Sequence, residues 1–139
     1  MKAISLWQPW ATLMAIGSKR NETRSWPTSH RGPLAIHAAK KWDGHLKRLC
    51  TLPPYNEHLS KFDPDDLPRG AIVCVVNVID CVKITDTNAP IDDENNFGDY
   101  TPGRFMWITN NVRRLPEAVP FVGAQWFFDV PDDLIWGDA

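Results

Sequence analysis

The apolar pattern opens with Lys2–Leu6, a short strand-like run that leads into Trp10, Leu13 and Met14 at i, i+3, i+4. That spacing is one stripe of a two-turn helix. Pro9 is tolerated at its start, and Gly17 suits the left-handed position that ends it. The next stretch, residues 17–26, breaks both periods. In a regular strand Ser18, Arg20, Glu22 and Arg24 share one face, while Lys19, Asn21, Thr23 and Ser25 share the other. Neither face is made for packing, so the stretch is either a solvated edge or the wall of a polar cleft. Strict alternation also separates Lys19 from Glu22. For the two to act together, residues 17–20 must form a turn and the strand must begin after them.

Farther on, Leu34-Ala35-Ile36-His37-Ala38 reads as a compact central strand. Trp42, Leu46 and Leu49 predict a second helix within 39–50 despite Gly44. Residues 51–69, with Pro53, Pro54, Pro64, Pro68 and several acids, read as an irregular surface excursion. The strongest strand signal is 71–84, where Val73, Val75, Asn77 and Ile79 alternate with Ile72, Cys74, Val76 and Val78. Both faces are mostly apolar, as expected of a buried central strand. Residues 85–103 are acidic and turn-rich and predict a mobile loop. Strands follow at 105–109 and 125–130, with an extended connection over 113–123. Five or six strands with early helices predict an α+β domain built on a curled sheet or small barrel.

Composition fits one soluble domain: 139 residues, 43% hydrophobic and 23% charged. No apolar run approaches the ~18 residues of a membrane span, and Met1-Lys2-Ala3 enters strand-like sequence directly, so a cytoplasmic location is expected. Cys50, Cys74 and Cys81 form no C-x-x-C pair and read as free thiols, with Cys74 buried. The net charge of −2 disfavours bulk attraction to nucleic acid, but the charge is unevenly spread. Residues 17–48 hold eight Lys/Arg against two acids, a balance of +6, and residues 51–103 hold three against ten, a balance of −7. Such a basic segment either binds phosphate or is a set of solvated faces that cluster by sign.

The chain lacks G-x-G-x-x-G, P-loop and G-x-S-x-G signatures. Its histidines, His30, His37, His45 and His58, make no metal spacing with the cysteines. His37, in an apolar strand, reads as a satisfied core histidine. Asp92, Asp93 and Glu94 read as a solvated acidic loop, and no metal or cofactor is expected. What remains is Lys19, Glu22 and Arg24 beside Trp7, Trp10 and Trp26, in a chain with seven tryptophans. A partly buried Lys–Glu pair can be a structural ion pair, hold a polar ligand, or be tuned by desolvation for proton transfer. Tryptophan stacks well on bases, at roughly 1–3 kcal/mol per base. Trp10, on the helix stripe, reads as core; Trp7 and Trp26 fit core or ligand contact equally.

Three segments in order carry a resemblance: Ser5-Leu6-Trp7-Gln8-Pro9-Trp10-Ala11, then Gly17-x-Lys19-x-x-Glu22-x-Arg24-Ser25-Trp26, then Arg31-Gly32-Pro33-Leu34-Ala35-Ile36-His37-Ala38. With Gly103-Arg104-Phe105-Met106-Trp107 and Arg114-Leu115-Pro116 they resemble the ASCH-domain family of the PUA-like superfamily over nearly the whole chain. One departure lies after Gln125, where the family pattern has glycine. The resemblance implies a single PUA-like domain, 1–139, with a small β-barrel, a short N-terminal helix and a second flanking helix. It also implies a cleft beside the first helix, lined by the Gly17–Arg24 element, and a role with RNA or a modified nucleoside. In the binding reading Trp7 or Trp26 stacks on a base, Lys19 and Arg24 meet phosphate or carbonyl oxygens, Glu22 accepts from a base amine, Gln8 also contacts the ligand, and Lys40, Lys41 and Arg48 extend a phosphate track. In the alternative, the cleft is hydrolytic, as in relatives that deacetylate N4-acetylcytidine or cleave RNA. The amidohydrolases carry a threonine nucleophile where this chain has Glu22. A carboxylate attacking an amide would give an anhydride, so Glu22 would instead act as general base on water, with Lys19 stabilising the oxyanion. A monomer is expected.

Overall fold

The computed structural model describes residues 1–137. Six strands form one sheet: β1 (Lys2–Leu6), β2 (Asn21–Arg24), β3 (Gly32–Ala38), β4 (Ala71–Lys83), β5 (Phe105–Pro120) and β6 (Phe128–Asp129). The order is β2-β5-β4-β3-β1-β6, so the sheet is open, with β2 and β6 as its edges, and does not close into a barrel. Four short helices accompany it: α1 (Trp10–Ala15), α2 (Gly44–Leu49), α3 (Tyr55–His58) and α4 (Asp132–Trp136). Register shifts between Ile72/Cys74, Val75/Asn77 and Val78/Asp80 interrupt the long β4–β5 ladder. Extra residues of this kind bend a strand and increase its twist.

β1 and β3 are parallel neighbours, and parallel strands need a crossover. Here α1 and β2 supply it. The chain leaves β1, passes over the sheet as α1, forms the far edge as β2, and returns as β3. Ile4, Leu6, Leu34, Ile36, Val76, Val78 and Trp107 from the sheet meet Ala11, Met14 and Ala15 of α1 in the main core. Leu13 points the other way and packs with Cys50, Tyr55, Leu59, Leu67 and Phe97. A helix apolar on both sides needs a cover, and residues 51–69 supply it. They contain α3 and a 3-10 turn at Pro64–Asp66 and send Tyr55, Leu59 and Leu67 into this second core, while most of their other residues stay exposed.

Four other expectations change. The second helix is confined to Gly44–Leu49, because the Asp43 side chain caps it by accepting from Leu46 N at 2.9 Å. Residues 85–103 are anchored: a 3-10 helix at Asp93–Phe97 buries Glu94 and Phe97. β5 continues through the predicted connection to Pro120. Beyond Ile108 it has β4 on one side only, since β2 pairs with Phe105–Ile108, and a strand open on one side tolerates Pro116 and exposed Arg113 and Arg114. Of the strand expected at 125–130, only Phe128–Asp129 pairs, against β1. Cys74 is buried as expected, and so is Cys50. Among the described residues no helix is long and apolar enough to cross a membrane.

Candidate functional site

Gly17, at φ +83°, ends α1 in the left-handed conformation that glycine adopts without cost. The chain then turns, with Lys19 N donating to Leu13 O at 3.0 Å, and the strand begins only at Asn21. That turn brings Lys19 and Glu22 together. Lys19 is 2% exposed; its Nζ donates to Phe97 O at 2.8 Å and lies 3.5 Å from Glu22 Oε1. Glu22 and Arg24, two apart on β2, share a face. Arg24 grips Glu22 Oε2 with Nε at 3.1 Å and Nη2 at 3.0 Å, and Nη2 also donates to Ser5 O at 2.9 Å. Thr23 N donates to Glu22 Oε1 at 3.2 Å. One carboxylate thus lies between two cations, leaving the cluster with a surplus positive charge.

A second buried carboxylate fixes the turn. Glu94 accepts from Arg20 N and from Asn21 N, and the Tyr100 hydroxyl stands 3.5 Å from its Oε2. Burial pushes the Glu94 carboxyl above its ordinary range despite the backbone donors and the nearby Lys19 and Arg20. The Tyr100 phenol is pushed up as well, by burial first and then by Glu94. Asp99 N donates to Thr23 Oγ1 at 3.0 Å, so the 93–99 segment lies along β2.

Between the end of β1, β2 and this segment lies a cleft of about 600 Å³, whose lining includes Ser5, Trp7, Glu22, Arg24, Asp99 and Arg104. Trp7 is 50% exposed at its rim, with Lys41 Nζ 5.2 Å from the ring centre. Of the residues singled out from the sequence, Trp7, Glu22 and Arg24 therefore meet in one place. Lys19 stands behind the wall, touching Glu22 and not the open space. Gln8 is fully buried: its Oε1 accepts from Thr12 N at 3.0 Å and its Nε2 donates to Pro68 O at 2.7 Å. It caps α1 and ties it to the 51–69 cover. Trp26 is hemmed in by Trp107, Trp126 and Phe127 and lines a neighbouring recess. Lys40 lies farther along, exposed beside a third recess with His37 and Gly123.

The wall formed by residues 96–99 was not legible in the sequence. Its one trace is the opposed charge of the two segments, and the structure pairs them: Arg20 with Asp92 at 3.1 Å, Arg31 with Asp80 at 3.7 Å, Lys47 with Asp65 at 2.6 Å. Much of the basic segment is therefore neutralised internally. Arg24 is the cation of that segment that faces the cleft.

The family model described as "ASCH domain" matches residues 4–117. The chain is 32% identical over 123 residues to Activating signal cointegrator 1 of Mus musculus and of Homo sapiens, matching 86% of this chain but 20% of each relative. It thus spans about a fifth of those proteins. The crystal structure of ASCH from Zymomonas mobilis superposes with a TM-score of 0.57 at 11% identity, over 96% of this chain and 89% of that one. That likeness is one of fold, the PUA-like architecture. Together with the family match across most of the sequence, it makes the chain a member of the ASCH-domain family.

Proposed function

We propose that this cleft binds RNA or a modified nucleoside without turning it over. The observation that carries the reading is the fixed Arg24 guanidinium beside the half-exposed Trp7 ring. Glu22 and Ser5 O hold Nε and Nη2, so the Nη1 donors, which have no protein partner among the described residues, are aimed before a ligand arrives. A preorganised guanidinium suits a base carbonyl or a phosphate oxygen, and an indole suits the face of a base. Membership of a PUA-like family often linked to RNA binding supports the same reading.

The hydrolytic alternative asks Glu22 to take a proton from water. Lys19, Thr23 N and two nitrogens of Arg24 already surround its oxygens, so the carboxylate is committed to donors other than water. Lys19, enclosed behind Glu22, has no route to an oxyanion.

The test is titration of nucleosides and short RNAs, followed by NMR, at several salt concentrations. Shifts centred on Trp7 and Arg24, with RNA affinity falling as salt rises, are expected. A salt-independent affinity, or turnover of N4-acetylcytidine or RNA that Glu22→Gln abolishes, overturns the reading.

A further inference from the structure

We propose that the ligand is a single strand of two or more nucleotides, and that Trp126 is the platform on which the second base stacks. The inference rests on the cleft reading above and extends it beyond one nucleoside.

The main cleft is not isolated. A recess of about 390 Å³ adjoins it and shares Ser5, Trp7 and Arg24 with it. A third, of about 400 Å³, shares Ser5, Ala39, Ala124 and Gln125 with the second. The three make one trough. Each compartment falls in the roughly 300–1,000 Å³ range of small-molecule sites, so the trough has room for successive nucleotides.

Trp126 lines the middle compartment. It is 60% exposed and sits at φ +61°, a left-handed conformation unfavourable for a bulky residue. A strained backbone that leaves a large indole in solvent points to a role for that indole. Its ring lies 5.0 Å from that of Trp26, tilted by 53°, and Trp26 is itself wedged against Trp107 at 4.7 Å. The core thus buttresses the platform from behind. This reassigns the stacking role: Trp26 is the support, and Trp126 offers the free face.

Charge follows the same line. Arg24 lines both the first and the second compartment, so it can meet a phosphate that joins two bases. Lys40 is exposed at the third compartment, where the next phosphate would run. Alternating aromatic faces and cations match a single strand, whose bases are unstacked and whose backbone is charged. A free nucleoside would leave Trp126 and Lys40 unused.

Isothermal titration with the four 5′-mononucleotides and the corresponding homotetranucleotides, as ribose and deoxyribose forms, tests this. The preferred tetranucleotide is expected to bind at least tenfold tighter than its mononucleotide. The ratio should fall toward one in Trp126→Ala and be kept in Trp126→Phe, while Arg24→Ala weakens both ligands. A gain in either sugar series supports the trough, and the stronger series identifies RNA or DNA. Equal affinity for mononucleotide and tetranucleotide confines the site to one nucleotide, overturning this inference and leaving the cleft reading intact. A gain that survives Trp126→Ala also overturns it. If neither the mononucleotides nor the tetranucleotides bind, this inference fails, and if N4-acetylcytidine also fails to bind, the cleft reading fails with it.

Discussion

The Lys19 ammonium stands 3.5 Å from Glu22 Oε1, yet only Glu22 borders the cleft. The pair is one of support. Lys19 ties the floor of the site to the 93–97 turn through Phe97 O, at 2.8 Å, and balances the charge of Glu22.

Lys19→Met should therefore act first on stability. The substitution leaves Phe97 O without its charged donor and takes one of two cations from Glu22, which Arg24 still pairs, at a cost of about 1–3 kcal/mol. Urea unfolding should show that loss. A Lys19→Met protein as stable as the parent would remove the supporting role.

Glu22 acts on the ligand through Arg24. Glu22→Ala frees the guanidinium from its grip on Oε2, and nucleotide affinity should fall about tenfold, or about 1.4 kcal/mol. NMR of the Arg24 side chain should show the Nε–H losing its protection in the same variant. Unchanged affinity with a disordered Arg24 would mean that preorganisation is irrelevant here.

Glu94 makes stability depend on pH in a particular direction. Its folded carboxyl holds a proton to higher pH than its ordinary 4.5, because burial disfavours the charge. The folded state then binds more protons than the unfolded one. This contribution is whole below 4.5 and is lost as pH rises through the folded value. Glu94→Gln keeps an acceptor for Arg20 N without the titration. Relative to it, the parent should lose stability across that window, and parallel unfolding curves at all pH values would contradict the assignment.

His37 has the opposite sign. Burial pushes its imidazole below the ordinary 6.5, against the smaller effect of its bond to Phe121 O. Its contribution is whole above pH 6.5 and is lost as pH falls through the folded value. The carbonyl of Phe121 only accepts, so Nε2 carries the hydrogen at 2.7 Å and Nδ1 accepts from the Ser5 hydroxyl at 2.8 Å. Imidazole nitrogen shifts should report that tautomer at pH 7. A protonated ring at pH 7 would break the assignment.

Gly123 packs on that pair so tightly that a Cβ there would lie 2.6 Å from Ser5 Oγ and from His37 Nδ1. Gly123→Ala should therefore displace the strap from 121 to 125 and lower the melting temperature by several degrees, since overpacking typically costs about 1–3 kcal/mol. A melting temperature within a degree of the parent would show the strap free to move.

Local sequence determined a good deal. Pro9, the Trp10-Leu13-Met14 stripe and Gly17 bound α1; the apolar alternation of 71–84 marks β4; and the unbroken polar run of 18–24 marks a stretch with no face made for packing. It also posed the condition that Lys19 and Glu22 meet only if the strand begins after a turn, and β2 begins at Asn21. These features are short-range, set by capping, period and glycine stereochemistry.

The tertiary structure decided which side of each residue is open. Lys19 and Gln8 look like ligand contacts because they are polar and lie beside the motif, yet Phe97 O, Thr12 N and Pro68 O consume their hydrogen bonds. Two of those three partners lie far along the chain. Trp26 and Trp126 are equally aromatic in sequence; the core packs against one, half-burying it, and leaves the other exposed. Burial is a property of what folds against a side chain. At this site that is the 93–99 segment and the 121–126 strap, whose long-range contacts no local pattern records.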